Sequence, residues 1–138
     1  MMSELEKTSQ RVISVMEGIE GLSHLRVNEL HKIPLGTLRE GTYNLQGVCR
    51  FRKGLWQRVA KGTAKGPSEA RCIDLHPLLL TERWSRYGDH VLFHEYLHAL
   101  RPGTGHGPEF RALEALWPDS EAIAMKSDFN EFIRERRS

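Results

Sequence analysis

"FHEYLHALRPGTGHGPEF", Phe93 to Phe110, is the stretch on which the reading of this chain turns. Its first half carries the pattern H-E-x-x-H at His94, Glu95 and His98. Residues four apart on a helix project from one face about one turn apart, so the two imidazoles point the same way. Two such groups suit two corners of a tetrahedral zinc ion. Glu95 sits beside the first of them, placed to reach a zinc-activated water rather than the metal. There it would take the water's proton as general base and hand it to a leaving amine. That division of roles is the one attached to H-E-x-x-H on a helix. The flanks agree: Asp89 suits an N-cap after a break at Gly88, and Pro102-Gly103 suits a stop.

A zinc site of this kind needs a third protein ligand, and two histidines compete for the place. His90 continues the i, i+4 series, but His90, His94 and His98 on a straight helix span about 12 Å at 1.5 Å per residue, too far to share one ion. His90 is therefore expected to be a first-turn surface residue. His106 follows the Pro102-Gly103 break, and Gly103, Gly105 and Gly107 give the backbone freedom to turn back over the metal. His106 is the expected third ligand.

Outward from this stretch the pattern is α+β. Leu5, Val12, Val15, Met16 and Ile19 follow helical spacing and predict an amphipathic helix over residues 3–20, ended by Gly21. Residues 25–33 read as a short strand, 42–51 as a second, and "LWQRVA" (55–60) as a continuation of the meander. "KGTAKGPSEA" (61–70) reads as an exposed turn and "RCIDL" (71–75) as a strand with Ile73 and Leu75 on one face. Pro77 opens a helix reaching Arg86, "PEFRALEALW" (108–117) is another, and a last helix covers 128–136.

With 138 residues the chain has room for one domain, and 39% hydrophobic residues are enough for a core. Its longest obvious apolar run is "PLLL" (77–80), far short of the ~18 residues of a membrane span. The polar N-terminus is unlike a signal peptide, so a cytoplasmic protein is expected, acting as a monomer. Two cysteines, Cys49 and Cys72, are too few for a stapled secreted scaffold and are expected to be reduced and buried. The net charge of +2 says little as a total, but its distribution is uneven. Arg50, Arg52, Lys53, Arg58, Lys61, Lys65 and Arg71 face a single acid, Glu69, with Phe51 and Trp56 among them. Cations neutralise phosphates and an exposed aromatic ring stacks on an unpaired base. Arg50, Arg52, Lys53, Trp56 and Arg58 thus form a candidate nucleic-acid interface; a solvated hairpin with core aromatics is the competing reading.

Four segments in order carry a family likeness: "LQGVCRF" (45–51), "RCIDLHPLLL" (71–80), "LFHEYLHAL" (92–100) and "GHGPEF" (105–110). In them the chain resembles the SprT-like zinc metallopeptidases, a family that includes proteases of DNA–protein crosslinks. The likeness spans residues 42–117. It implies one zinc ion on His94, His98 and His106 with Glu95 catalytic. It also implies a minimal zincin-like domain over 1–138, with a small antiparallel sheet packed against the H-E-x-x-H helix and flanking helices. The seven-residue link from Ala99 to Gly105 differs from the fixed, shorter link of metzincins. No cysteine follows Cys72, so the zinc ribbon found after the peptidase domain in many relatives is not expected.

The expected function is a zinc-dependent endopeptidase acting on protein substrates, among them DNA-bound or DNA-crosslinked proteins. Association with nucleoid or chromatin would follow from such a role. The alternative is a zinc-stabilised nucleic-acid-binding protein without peptidase activity. An oxyanion donor is also needed, and Tyr43, Tyr87 and Tyr96 are the tyrosines available.

Overall fold

The computed structural model describes residues 1–137; Ser138, the last residue of the expected domain, lies outside the described residues, as does the side chain of Arg137. The chain forms helices α1 (Glu4–Glu17), α2 (Leu55–Ala60), α3 (Ser85–Leu100), α4 (Pro108–Glu114) and α5 (Met125–Arg137), and strands β1 (Leu35–Thr37), β2 (Gly47–Phe51) and β3 (Ala70–Leu75). The strands make one sheet in the order β1-β3-β2. This is a small α+β fold with a mixed sheet, since β1 runs parallel to β3 and β2 antiparallel. The sequence reading expected an antiparallel sheet. It missed β1, whose three residues between Pro34 and Leu38 are too short to show a period.

α1 follows from its pattern. Ser3 caps it by accepting the Glu6 N–H at 3.1 Å, and the stripe Thr8, Ser9, Val12 and Met16 is buried. Its last helical residue is Glu17, because Gly18 rather than Gly21 closes it. β3 also behaves as read: Ile73 and Leu75 are fully buried, while Arg71 is exposed and Cys72 and Asp74 are half-buried. Cys49 lies opposite Ile73 and Cys72 opposite Arg50, so the two thiols sit on opposite faces of the sheet. Both are free, half-buried thiols, and burial, then Glu95, pushes the Cys49 thiol up to about 12.

Three segments depart from the sequence reading. The expected strand at 25–33 is a 3-10 helix, Val27–Lys32, with Val27 and Leu30 inward. "LWQRVA" is α2 rather than a strand: Gly54, at φ +79°, turns the chain into it and lets Arg58 close a helical turn onto the Gly54 carbonyl. The helix expected after Pro77 is instead two 3-10 turns, Pro77–Leu80 and Glu82–Trp84, which lead straight into α3.

α3 is the hub of the molecule. Tyr87, Val91, Leu92, Phe93, Tyr96, Leu97 and Leu100 are all buried, so apolar contacts surround most of its circumference. It packs against α1, β2, β3 and α4. Gly88 does not break it. The helix passes through Gly88 because a Cβ there would collide with the Leu79 carbonyl, and only a bare backbone can lie that close to the 77–80 turn. Asp89 is not its cap either; it takes a two-pronged bond from Arg11, at 2.7 Å to each oxygen, tying α3 to α1. Gly to Ala in an ordinary helix stabilises by about 1 kcal/mol. At Gly88 the clash with backbone wins, and Gly88→Ala is expected to destabilise by about 2 kcal/mol. A lowered urea midpoint at unchanged slope is the measurement that checks it.

Around this helix runs one continuous core drawn from α1, the sheet, α3, α4 and α5. No described helix is long and apolar enough to cross a membrane.

Candidate metal centre

His94 and His98 are the half-buried residues of the last two turns of α3, whose other residues there are buried. After Leu100 the helix stops: Arg101 still donates its N–H to the Leu97 carbonyl at 2.9 Å, then the chain turns sharply. Gly103 and Gly105 take φ of +88° and +64°, the left-handed region that other residues avoid. Gly103 also packs against Val59 of α2, where an added Cβ would lie 3.0 Å from the valine methyl. Thr104 ties the turn by donating its hydroxyl to the Arg101 carbonyl at 2.9 Å. The reversal delivers His106 over α3.

The three histidines converge by their Nε2 atoms. His94 to His98 is 3.2 Å, His98 to His106 is 2.9 Å and His106 to His94 is 3.3 Å. A zinc ion with Zn–N bonds of 2.0–2.1 Å in tetrahedral array holds its nitrogens about 3.3 Å apart. The residues present therefore fit one tetrahedral metal ion with a fourth position left for another group, and they are near enough to bind it together. The donor chemistry agrees. His94 directs Nδ1 at the Glu114 carboxylate, which fixes that nitrogen as the N–H donor and leaves the Nε2 lone pair facing the centre. Burial, then the charges of His94 and His106, pushes His98 down to about 4, so its ring is neutral over the neutral range.

"GHGPEF" supplies more than His106. Pro108 starts α4, whose Phe110 is 1% exposed, stacks on His98 at 4.4 Å and meets His94 and His106 edge-on. One ring thus fixes the planes of all three imidazoles. One turn later Glu114 reaches His94, and that bond holds its carboxyl below the usual range despite burial. An ion pair of Arg101 with Glu109 fastens the start of α4 to the end of α3. Neither Phe110 nor Glu114 was singled out from the sequence. Their i, i+4 spacing after the third histidine is the signal they leave. Replacing Glu114 with Ala is expected to weaken metal binding 10–100-fold, as loss of an outer partner typically does, read by competition with a colorimetric chelator.

Glu95 is 6% exposed and points to the sheet side of α3, against Gly47 of β2. Burial pushes its carboxyl up to about 7, while the His94 charge and the Cys49 backbone N–H pull the other way. A Cβ on Gly47 would stand 3.3 Å from the Glu95 side chain, so this glycine makes the room. Glu95, His94 and His106 line an open cleft of about 1100 Å³ that residues of α5 also line.

His90 is not a surface residue. α3 begins at Ser85, so His90 lies in its second turn, 6% exposed, on the floor of the cleft with no hydrogen-bond partner for either ring nitrogen. Its Nε2 is 3.7 Å from Glu114 and it is not part of the three-histidine cluster. Tyr43 and Tyr87 line the cleft, and Tyr87 donates to Gln46 at 2.7 Å. Tyr96 points away, to the Ser9 hydroxyl at 2.7 Å. His76, buried, bridges the Thr42 carbonyl and the Leu78 N–H, a structural role.

The basic stretch divides in two. Arg58 is an internal brace: it bonds the buried Glu69 at 2.6 Å and the Lys53 carbonyl at 2.7 Å. Arg52 donates to the Ser68 carbonyl at 2.9 Å, and Arg50 pairs with Asp74 at 3.2 Å. Lys53 is exposed, and Trp56 presents 68% of its surface from α2, the helix that abuts the His106 turn.

Comparison with family models, with curated proteins and with solved structures gives no match to this chain.

Proposed function

We propose that this protein is a zinc-dependent endopeptidase with a zincin-like site of the SprT-like type. The observation that carries the reading is the meeting of three histidine Nε2 atoms within 3.3 Å of one another, with a buried glutamate next to the first in the same cleft. His94, His98 and His106 hold the metal. When bound, zinc supplies Lewis acidity, acidifying a water and polarising the scissile carbonyl. Glu95 accepts the proton that the water gives up as its oxygen bonds to the carbonyl carbon. As the carbon–nitrogen bond breaks, Glu95 returns that proton to the amine. Glu114 holds His94 in the required tautomer, and Phe110 keeps the rings from turning.

The substrate reading rests on α2. An exposed tryptophan beside Lys53 is a stacking platform next to a cation, suited to single-stranded nucleic acid. Proteins held on DNA are accordingly the proposed targets. The same surface supports the second reading, a zinc-stabilised nucleic-acid-binding protein without peptidase activity. One assay separates them: zinc-loaded protein is incubated with a DNA-bound protein, with and without single-stranded DNA and with a chelator. Chelator-sensitive cleavage supports the peptidase. DNA binding with no cleavage under any of these conditions supports the second reading and refutes the first.

A further inference from the structure

The peptidase chemistry leaves a group of charges in the cleft unused. Lys126 and Arg134 stand eight residues apart on α5 and line the same cleft as His94 and His106; Arg111 of α4 lines it too. Among the described residues no hydrogen bond or ion pair engages these three side chains. Elsewhere Arg11, Arg50, Arg58, Arg86 and Arg101 each pair with a carboxylate. Two carboxylates share the cleft with the free cations. Glu114 is taken by His94, and Glu95 is buried against β2.

The floor adds a second, independent observation. His90 is more than nine-tenths buried and is among the residues lining this cleft, with both ring nitrogens unmet. A neutral imidazole carries one N–H donor, and a buried donor without an acceptor is costly. Burial chiefly, and to a smaller extent the Lys126 charge, opposes protonation of that ring. A neutral donor below and free cations on the walls are complementary to one kind of group, an anion with oxygen acceptors.

We infer that this half of the cleft is a subsite for a carboxylate next to the scissile bond, held by His90, Lys126 and Arg134. This deepens the peptidase reading and rests on it: the protein selects peptides carrying an acidic group there. The carboxylate belongs either to an Asp or Glu side chain or to the peptide's own C-terminus. A nucleic-acid phosphate is the less suited occupant, because the cations sit inside a concavity of peptide dimensions, with Leu45 and Ile123 exposed among its lining residues.

The test uses peptides differing only in Asp against Asn, all with amidated ends, and a neutral peptide with a free C-terminal carboxylate. Cleavage by the zinc-loaded protein gives kcat/KM, and calorimetry on zinc-loaded Glu95→Gln gives Kd without turnover. The Asp peptide is expected to be favoured by about tenfold or more in both, the usual scale of a charge-assisted bond. A comparable gain from the free C-terminus assigns the subsite to chain ends as well. The ratio is expected to fall to near one in Lys126→Ala/Arg134→Ala, whose exposed positions leave the core intact. Tighter binding of the Asp peptide without cleavage keeps the subsite and removes the peptidase reading. Cleavage with equal constants for Asp and Asn keeps the peptidase and overturns the subsite. Displacement of both peptides alike by a short oligonucleotide assigns the cations to phosphate and overturns it too.

Discussion

Glu95→Gln is expected to keep its metal and lose peptide cleavage by about 10³-fold, within the range that removal of a general acid–base costs. The side chain is 6% exposed and filled to contact by Gly47, so the isosteric amide fits without moving α3. Metal content by elemental analysis should equal that of the parent, since the three imidazoles are untouched. Cleavage at the parental rate would remove Glu95 from the mechanism. The substitution has a second signature in metal-free protein. Burial raises the Glu95 carboxyl from 4.5 to about 7, so the folded state holds a proton there that the unfolded chain has released. The contribution is present in full below 4.5 and is lost as pH rises through about 7. Metal-free Glu95→Gln should therefore lose less stability than the parent across that window, seen in denaturation midpoints at the two ends.

His106→Ala should abolish stoichiometric metal binding, whereas His90→Ala should not. Removing one of three ligands leaves two imidazoles on α3, and the loop then contributes nothing to the ion. A two-ligand remnant loses several orders of magnitude in affinity, since structural zinc sites draw roughly 10–16 kcal/mol from a complete set. His90, 3.7 Å from Glu114, touches the centre only through that carboxylate. Competition titration with a zinc indicator distinguishes the two variants. Retained binding in His106→Ala with loss in His90→Ala would move the third ligand to the helix.

What was legible in the sequence was what is local. The i, i+4 histidines lie on one helix, and the Pro-Gly break with flanking glycines announces a reversal, so the cluster of His94, His98 and His106 was readable. Glu114 was not, because its partnership with His94 depends on α4 folding back over α3. Gly88 misled for the same reason. In sequence it signals a helix end, but its neighbour is the Leu79 carbonyl, a contact that no periodicity reveals. His90 was placed on the surface by that false start; with α3 beginning at Ser85 it falls in the buried second turn. "LWQRVA" has β-formers in strand-like order, yet Gly54 at φ +79° starts a helix there. Arg58 reads as a free cation until the fold brings Glu69 against it.

Two of the three clustered histidines ride on α3 and the third on a turn with two left-handed glycines, and in the proposed zinc site this asymmetry would govern how the ion comes and goes. Release would start at the turn, so its rate would follow opening of the Gly103–Gly105 segment rather than the strength of three equal bonds. Val59 leans on that segment at Gly103, and α2 carries Trp56 at its exposed face. A ligand stacked on Trp56 would steady the arm and lengthen the residence time of the metal, a change in exchange kinetics that requires no new bond to the ion.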